Sequence, residues 1–101
     1  YITRFAIEEL RLPKANMWDG EWRIILFDIP EKRGKARRAF QQRLKFLGCF
    51  PLQKSVFVYP YNCLDEINLL TSFWHIQSYV HYMETFIIGY TEGKIKRFFR
   101  F

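Results

Sequence analysis

The chain has 101 residues, of which 50% are hydrophobic and 20% aromatic, with only four Pro and five Gly. This is the length and composition of one domain around one core, and it excludes disorder, collagen-like repeats and, with Cys49 and Cys63 as the only cysteines, a disulfide framework. Sixteen Lys and Arg against ten Asp and Glu leave a net charge of +6, which favours polyanions as partners over a merely solubilising surface, whose signs would be interspersed.

The charge is segregated along the chain. Residues 1–31 carry four basic and six acidic groups, and residues 32–54 carry eight basic groups and no acid. Residues 55–93 have four acids and no Lys or Arg, and the last eight residues carry four basic groups. No uncharged apolar run approaches the ~20 residues of a membrane span, so no membrane partner is expected, and two lone thiols suit the reducing cytoplasm.

Residues 1–17 read as an N-terminal helix and linker. Phe5, Ile7 or Glu8, and Leu12 recur at loosely helical spacing before Pro13, and a chain opening on Tyr1 rather than Met suggests the end of a missing upstream domain. Trp18-Asp19-Gly20-Glu21-Trp22 holds a turn signal between two large aromatics and opens a second unit, residues 18–89. Trp22–Ile29 is almost continuously β-branched and aromatic, the pattern of a central strand covered on both faces, and Pro30 ends it.

Lys32–Leu47 is predicted to be a helix, with Ala36, Phe40, Leu44 and Leu47 on one apolar stripe, Gly48 as its stop and no good N-cap. Phe50–Lys54, containing Pro51, belongs at a sheet edge, and Ser55–Tyr59 is a strong strand closed by Pro60. Asn62–Trp74 reads as a second helix, with Asn62 as cap, Asp65 near the positive dipole end, and Cys63, Ile67, Leu70 and Trp74 as its stripe. Tyr79–Ile88 is the last strand, broken by Gly89, and residues 90–101 form a basic aromatic tail.

The order β-α-β-β-α-β is the α+β, ferredoxin-like arrangement, an antiparallel sheet with two helices on one face. The other face is too apolar to stay wet, and Ile25, Phe27, Phe57 and Tyr59 at alternate positions suggest that a second copy covers it in a homodimer. The tail's Phe98, Phe99 and Phe101 suit either stacking on unpaired bases or apolar docking on the partner chain, with docking favoured.

No metal-ligand cluster of CxxC or HExxH type, GxSxG elbow or phosphate-binding glycine loop is present. Cys49 and Cys63 read as buried thiols, and His81 as a structural or interface residue. Two constellations remain. Lys32, Arg33, Lys35, Arg37, Arg38, Arg43 and Lys45, with Lys54 nearby, can line the phosphates of double-stranded DNA or RNA without reading sequence. Asp28 stands at the end of the first strand, where it either caps the turn or pairs with a cation of the next helix, or else acts as a catalytic, metal-binding carboxylate. In the second reading a twofold axis near the strand ends pairs two Asp28 side chains around Mg²⁺, which polarises a phosphodiester toward water.

The string RIILFDIPEKRGKARRAFQQRLKFLG followed by LQKSVFVY resembles the small CRISPR-associated adaptation endonuclease, the second of the two adaptation subunits, over about Trp22–Phe86. The upstream Trp18-Asp19-Gly20-Glu21-Trp22-Arg23 is more similar to a related domain, the one after the winged helix in PaaX-type transcriptional repressors. The CRISPR resemblance implies a ferredoxin-like fold, a symmetric dimer, a Mg²⁺-dependent nuclease aspartate at Asp28, nucleic acid across the basic residues and a docked integrase subunit. It departs from that family after Ser55-Val56-Phe57, where Val58 and Tyr59 stand in place of a frequent acid. The repressor resemblance implies a non-enzymatic dimerisation and effector-coupling domain. An RNA-recognition motif shares the element order, but Gln53-Lys54-Ser55-Val56-Phe57 lacks its glycine.

Overall fold

The computed structural model describes residues 2–101. A short helix α1 (Arg4–Glu9) precedes strand β1 (Trp22–Phe27), and a 3-10 turn (Glu31–Arg33) leads into α2 (Gly34–Phe46). Strands β2 (Phe50–Gln53) and β3 (Val56–Tyr59) form a hairpin, α3 (Leu64–Phe73) follows, and a 3-10 turn (Gln77–Tyr79) enters β4 (Val80–Thr85). Helix α4 (Glu92–Phe99) ends the chain. The sheet is antiparallel in the order β2-β3-β1-β4. This is the expected β-α-β-β-α-β arrangement, with β1 central and the Pro51 strand at an edge, where its missing N–H costs no ladder bond.

The strands present two apolar faces. Ile25 and Phe27 of β1 and Phe57 and Tyr59 of β3 point toward the helices and pack with Phe40 and Leu44 of α2, Ile67 and Leu70 of α3, and Ile7 of α1. These are the four residues that sequence alone assigns to the partner, so that assignment is corrected: they are the core of a single chain. In a strand apolar on both sides, side-chain alternation separates two sets without saying which meets the helices.

The opposite face carries Trp22, Val58, Phe50 and Leu52, and the chain's own C-terminal helix covers part of it. Ile95 of α4 is fully buried against Trp22 and Val58, with Phe99 beside them. The tail folds back on its own sheet, with Phe98 and Phe101 left about half exposed. Phe101 stacks on Trp18 at 4.9 Å between ring centroids, and Trp18 lies 4.4 Å from Trp22. The Trp22 indole N–H is buried without an acceptor among the described residues, a local cost of about 1–3 kcal/mol that the surrounding ring contacts offset.

Three helices end in the same hydrogen-bond pattern. At α2, the Gly48 N–H bonds the Lys45 carbonyl and the Cys49 N–H bonds that of Leu44, with Gly48 at φ +97°. Glycine adopts that backbone without penalty. At α3, His75 takes the same position at φ +55°, its N–H bonding Ser72 and that of Ile76 bonding Thr71; Arg100 does so after α4 at φ +64°. A side chain at such a φ costs roughly 1–2 kcal/mol.

Two outcomes follow in chemical denaturation. His75→Gly is expected to raise stability by about 1 kcal/mol, because the backbone strain is relieved at an exposed position. Ile95→Ala is expected to lower it by roughly 2–4 kcal/mol; a loss within about 0.5 kcal/mol would show that α4 is not docked on the sheet in solution.

Candidate functional site

The eight cations predicted to line phosphates divide into two groups. Arg33, Arg37 and Arg43 are half-buried and committed within the chain. Arg33 donates to the carbonyls of Trp74 and His75 at the end of α3, where a cation also complements the negative dipole end. Arg37 donates to the Ile29 carbonyl at 3.3 Å and pairs with Glu31 at 3.5 Å. The Arg43 guanidinium lies 5.1 Å from the centre of the Phe46 ring, with Arg11 5.3 Å from the same centre.

Lys32, Lys35, Arg38, Lys45 and Lys54 are exposed. They border two open clefts that meet at Arg38. The first, about 710 Å³, is lined by Lys32, Lys35 and Arg38, with Arg4 from α1 and Trp74 and His75 from the end of α3. The second, about 530 Å³, is lined by Arg37, Arg38, Lys45, Lys54 and two glutamines, Gln41 and Gln53. Arg4 and His75 reach this surface from distant parts of the chain, so no local sequence pattern marks them.

Asp28 directly follows β1. Its N–H bonds the Tyr79 carbonyl at 2.9 Å, while its side chain is exposed and has no hydrogen-bond or ion-pair partner among the described residues. It neither caps the turn nor pairs with a cation of α2; Glu31 is the acid that pairs there, with Arg37. No group of three His, Cys, Asp or Glu side chains among the described residues is placed to hold a metal ion. The two thiols are buried, which pushes Cys49 up strongly and Cys63 up to about 12, so neither is poised as a thiolate.

The uncovered part of the second sheet face is a further candidate surface. The ladder sets Ile24 of β1 between Val58 of β3 and Met83 of β4, and Leu26 between Val56 and His81. Helix α4 packs over Trp22 and Val58, and across the ladder, on the β4 side, Met83 stays 46% exposed. The chain after β4 adds exposed Phe86, Ile87 and Tyr90. In the sequence the alternation of β4 marks this surface, with Met83 and His81 on one side and Val80 and Tyr82 on the other.

The turn before β1 is organised by one buried side chain. Arg23 is 5% exposed and its guanidinium takes Asp19 with two bonds of 2.9 Å, Glu84 of β4 at 3.1 Å, and the carbonyls of Glu21 and Pro60 at 2.9 Å. Asp19 in turn accepts from the Glu21 N–H, and the Trp18 indole donates to the Glu21 carbonyl. The Trp18–Arg23 motif is thus a folded unit whose residues are fixed by Arg23. A family model described as "PaaX protein central Cas2-like domain" matches residues 15–95, which include it. The chain belongs to that family. No curated protein and no solved structure matches it. The PaaX central domain shares its fold type with the small CRISPR adaptation endonuclease, which accounts for both resemblances in the sequence. Among the described residues of this PaaX domain, no helix is long and apolar enough to cross a membrane.

The Arg23 hydrogen bonds hold the Asp19 carboxyl below its usual range. A depressed folded-state value gives stability that is present above the ordinary carboxylate pKa, about 3.9, and is lost as pH falls through the lower folded value. Asp19→Asn is therefore expected to lose stability at neutral pH and to show a shallower decline than the native chain on acidification below about pH 4. Arg23→Lys, which removes the planar fork, is expected to cost about 2 kcal/mol in urea unfolding; an unchanged midpoint would show that the cluster contributes nothing.

Proposed function

We propose that this PaaX central domain is the non-enzymatic dimerisation module of a transcriptional regulator, acting in the cytoplasm and self-associating through its uncovered sheet face. The observation that carries the reading is the exposed patch Met83, Phe86, Ile87 and Tyr90, with half-buried Leu26 and Val56 on the same sheet face beside the Ile24 that borders the α4 cluster. An apolar surface of this kind is a standard site of association. A flat sheet face is self-complementary about a twofold axis, so the same residues serve both copies. The two unpaired thiols are consistent with a reducing compartment.

The endonuclease reading has less support. A hydrolytic Mg²⁺ site at Asp28 requires a second carboxylate from a twofold partner, because Asp28 stands alone at the strand end of its own chain.

Sedimentation equilibrium is expected to show a dimer that Met83→Glu or Leu26→Glu converts to a monomer with unchanged far-UV circular dichroism. A native chain that is monomeric at high micromolar concentration would overturn the proposal. Incubation of duplex DNA with Mg²⁺ is expected to give no cleavage above background for either the native chain or Asp28→Asn. Cleavage that depends on Asp28 would restore the nuclease reading.

A further inference from the structure

The basic segment keeps five cations free after its structural needs are met. Lys35, Arg38 and Lys45 lie on one stripe of α2, with exposed Gln42 between Arg38 and Lys45. Lys32 extends the stripe through the preceding 3-10 turn. Lys54 joins it from the β2–β3 turn, because the Gln41 side-chain amide donates to the Lys54 carbonyl at 2.8 Å. Glu31 is the one acid bordering the clefts on either side, and Arg37 already pairs with it.

At the start of α2 the placement of these charges opposes the stability of their own helix, whereas Lys45 in the last turn suits the dipole. Helix α3 follows the electrostatic rule, with Asp65 and Glu66 in its first turn, near the positive end of the dipole. The first turn of α2 has no acid, no side chain caps it, and Lys35 and Arg38 stand in its N-terminal half. Lys35, in the first turn, costs on the order of 0.3–1 kcal/mol there, and Arg38, one turn on, costs less. A surface serving solubility alone would intersperse the signs. The departure from local preference marks a surface with a partner.

We infer that the ridge Lys32, Lys35, Arg38, Lys45 and Lys54 docks the phosphate backbone of duplex DNA without reading its sequence. The dimensions fit. Lys35 to Lys45 spans about 15 Å at 1.5 Å per residue, the rise of about four base pairs at 3.4 Å of duplex axis each. Single-stranded nucleic acid would call for exposed rings on which bases stack; along the ridge Phe40 is fully buried, Trp74 in the first cleft is half-buried, and the exposed Phe46 at the end of α2 already carries the Arg11 and Arg43 guanidinium groups. The clefts flanking Arg38 are open and spread the charge along the helix, which suits an extended charge lattice better than a small enclosed anion. The choice of DNA as the duplex rests on the regulator reading; the charge argument does not depend on the oligomeric state.

The test is fluorescence anisotropy of a short random-sequence DNA duplex with the 101-residue chain, across about 50 to 200 mM salt. The slope of log affinity against log salt is expected to shallow by about 2 in Lys35→Ala/Arg38→Ala, with affinity falling on the order of ten-fold or more. Lys94→Ala/Arg97→Ala removes the same charge from the exposed side of α4 and is expected to leave the slope unchanged. Lys35→Arg/Arg38→Lys is expected to retain binding, which separates lost charge from misfolding. Equal slopes for the ridge and α4 variants would overturn the inference, as would tighter binding of a single-stranded RNA of the same length. Equal competition by polyglutamate would also overturn it, because an acidic polypeptide would then serve as well. Sedimentation of the same samples reports the dimer separately, so failure of the regulator reading is distinguishable from failure of the ridge.

Discussion

The Arg23 guanidinium is the constraint on which the sheet's second face depends. It is buried, and taking a cation out of water costs several kcal/mol unless hydrogen bonds replace the lost hydration. Here Asp19, Glu84 and two backbone carbonyls do so, from the turn before β1, from β4 and from the chain just after β3. One side chain therefore ties the same end of three strands. It also shapes the Asp19–Gly20 turn, which sets Trp18 beside Trp22 and builds the aromatic floor that receives Ile95, Phe99 and Phe101. Where α4 docks decides which apolar residues stay open. The proposed association surface is in that sense a consequence of a buried ion cluster at the far end of the sheet.

A second link joins the helices. Arg33 precedes α2 and reaches the last carbonyls of α3, where the chain turns through His75 in a left-handed conformation. The planar fork of an arginine can serve two adjacent carbonyls at once, which a lysine cannot do with the same geometry. The clamp brings the C-terminal end of α3 to the start of α2 and places Trp74 and His75 beside Lys32 and Lys35. The first basic cleft exists because of this contact. Packing energy and surface charge thus draw on the same run of residues, and composition alone cannot tell them apart.

The element order was legible because each element carries its own punctuation. Pro30 and Pro60 close β1 and β3, Gly48 ends α2, and Pro51 sends β2 to the edge. Which face of β1 meets the helices was not legible, since Trp22, Ile24 and Leu26 are as apolar as Ile25 and Phe27. That choice is made by tertiary packing. The fate of the tail was hidden for a related reason. Its Phe-rich pattern specifies an apolar docking partner, but the partner's identity depends on Arg23 and Trp18 holding a matching surface within the same chain. Asp28 was singled out because a carboxylate at the end of an apolar strand is costly if buried. The strand stops at Phe27, and the residue lies in solvent.

The two open surfaces lie on opposite sides of the molecule, and this has a mechanical consequence. Helices α2 and α3 cover one face of the sheet, and the apolar strip belongs to the other. Two copies joined sheet to sheet about a twofold axis must turn their helical layers outward, so the two α2 ridges face away from each other. Such a dimer cannot lay both ridges along one straight duplex on the same side. It can hold two duplex segments on its outer faces, or meet one segment on a single side. A regulator built this way would gain affinity from phosphate contacts that are blind to sequence, leaving selection of the site to residues outside this fold. Reinforcing the ridge with further cations would tighten every DNA complex equally and so raise affinity without specificity. The basic surface is also not seamless, because three of the eight cations of residues 32–54 are engaged within the structure.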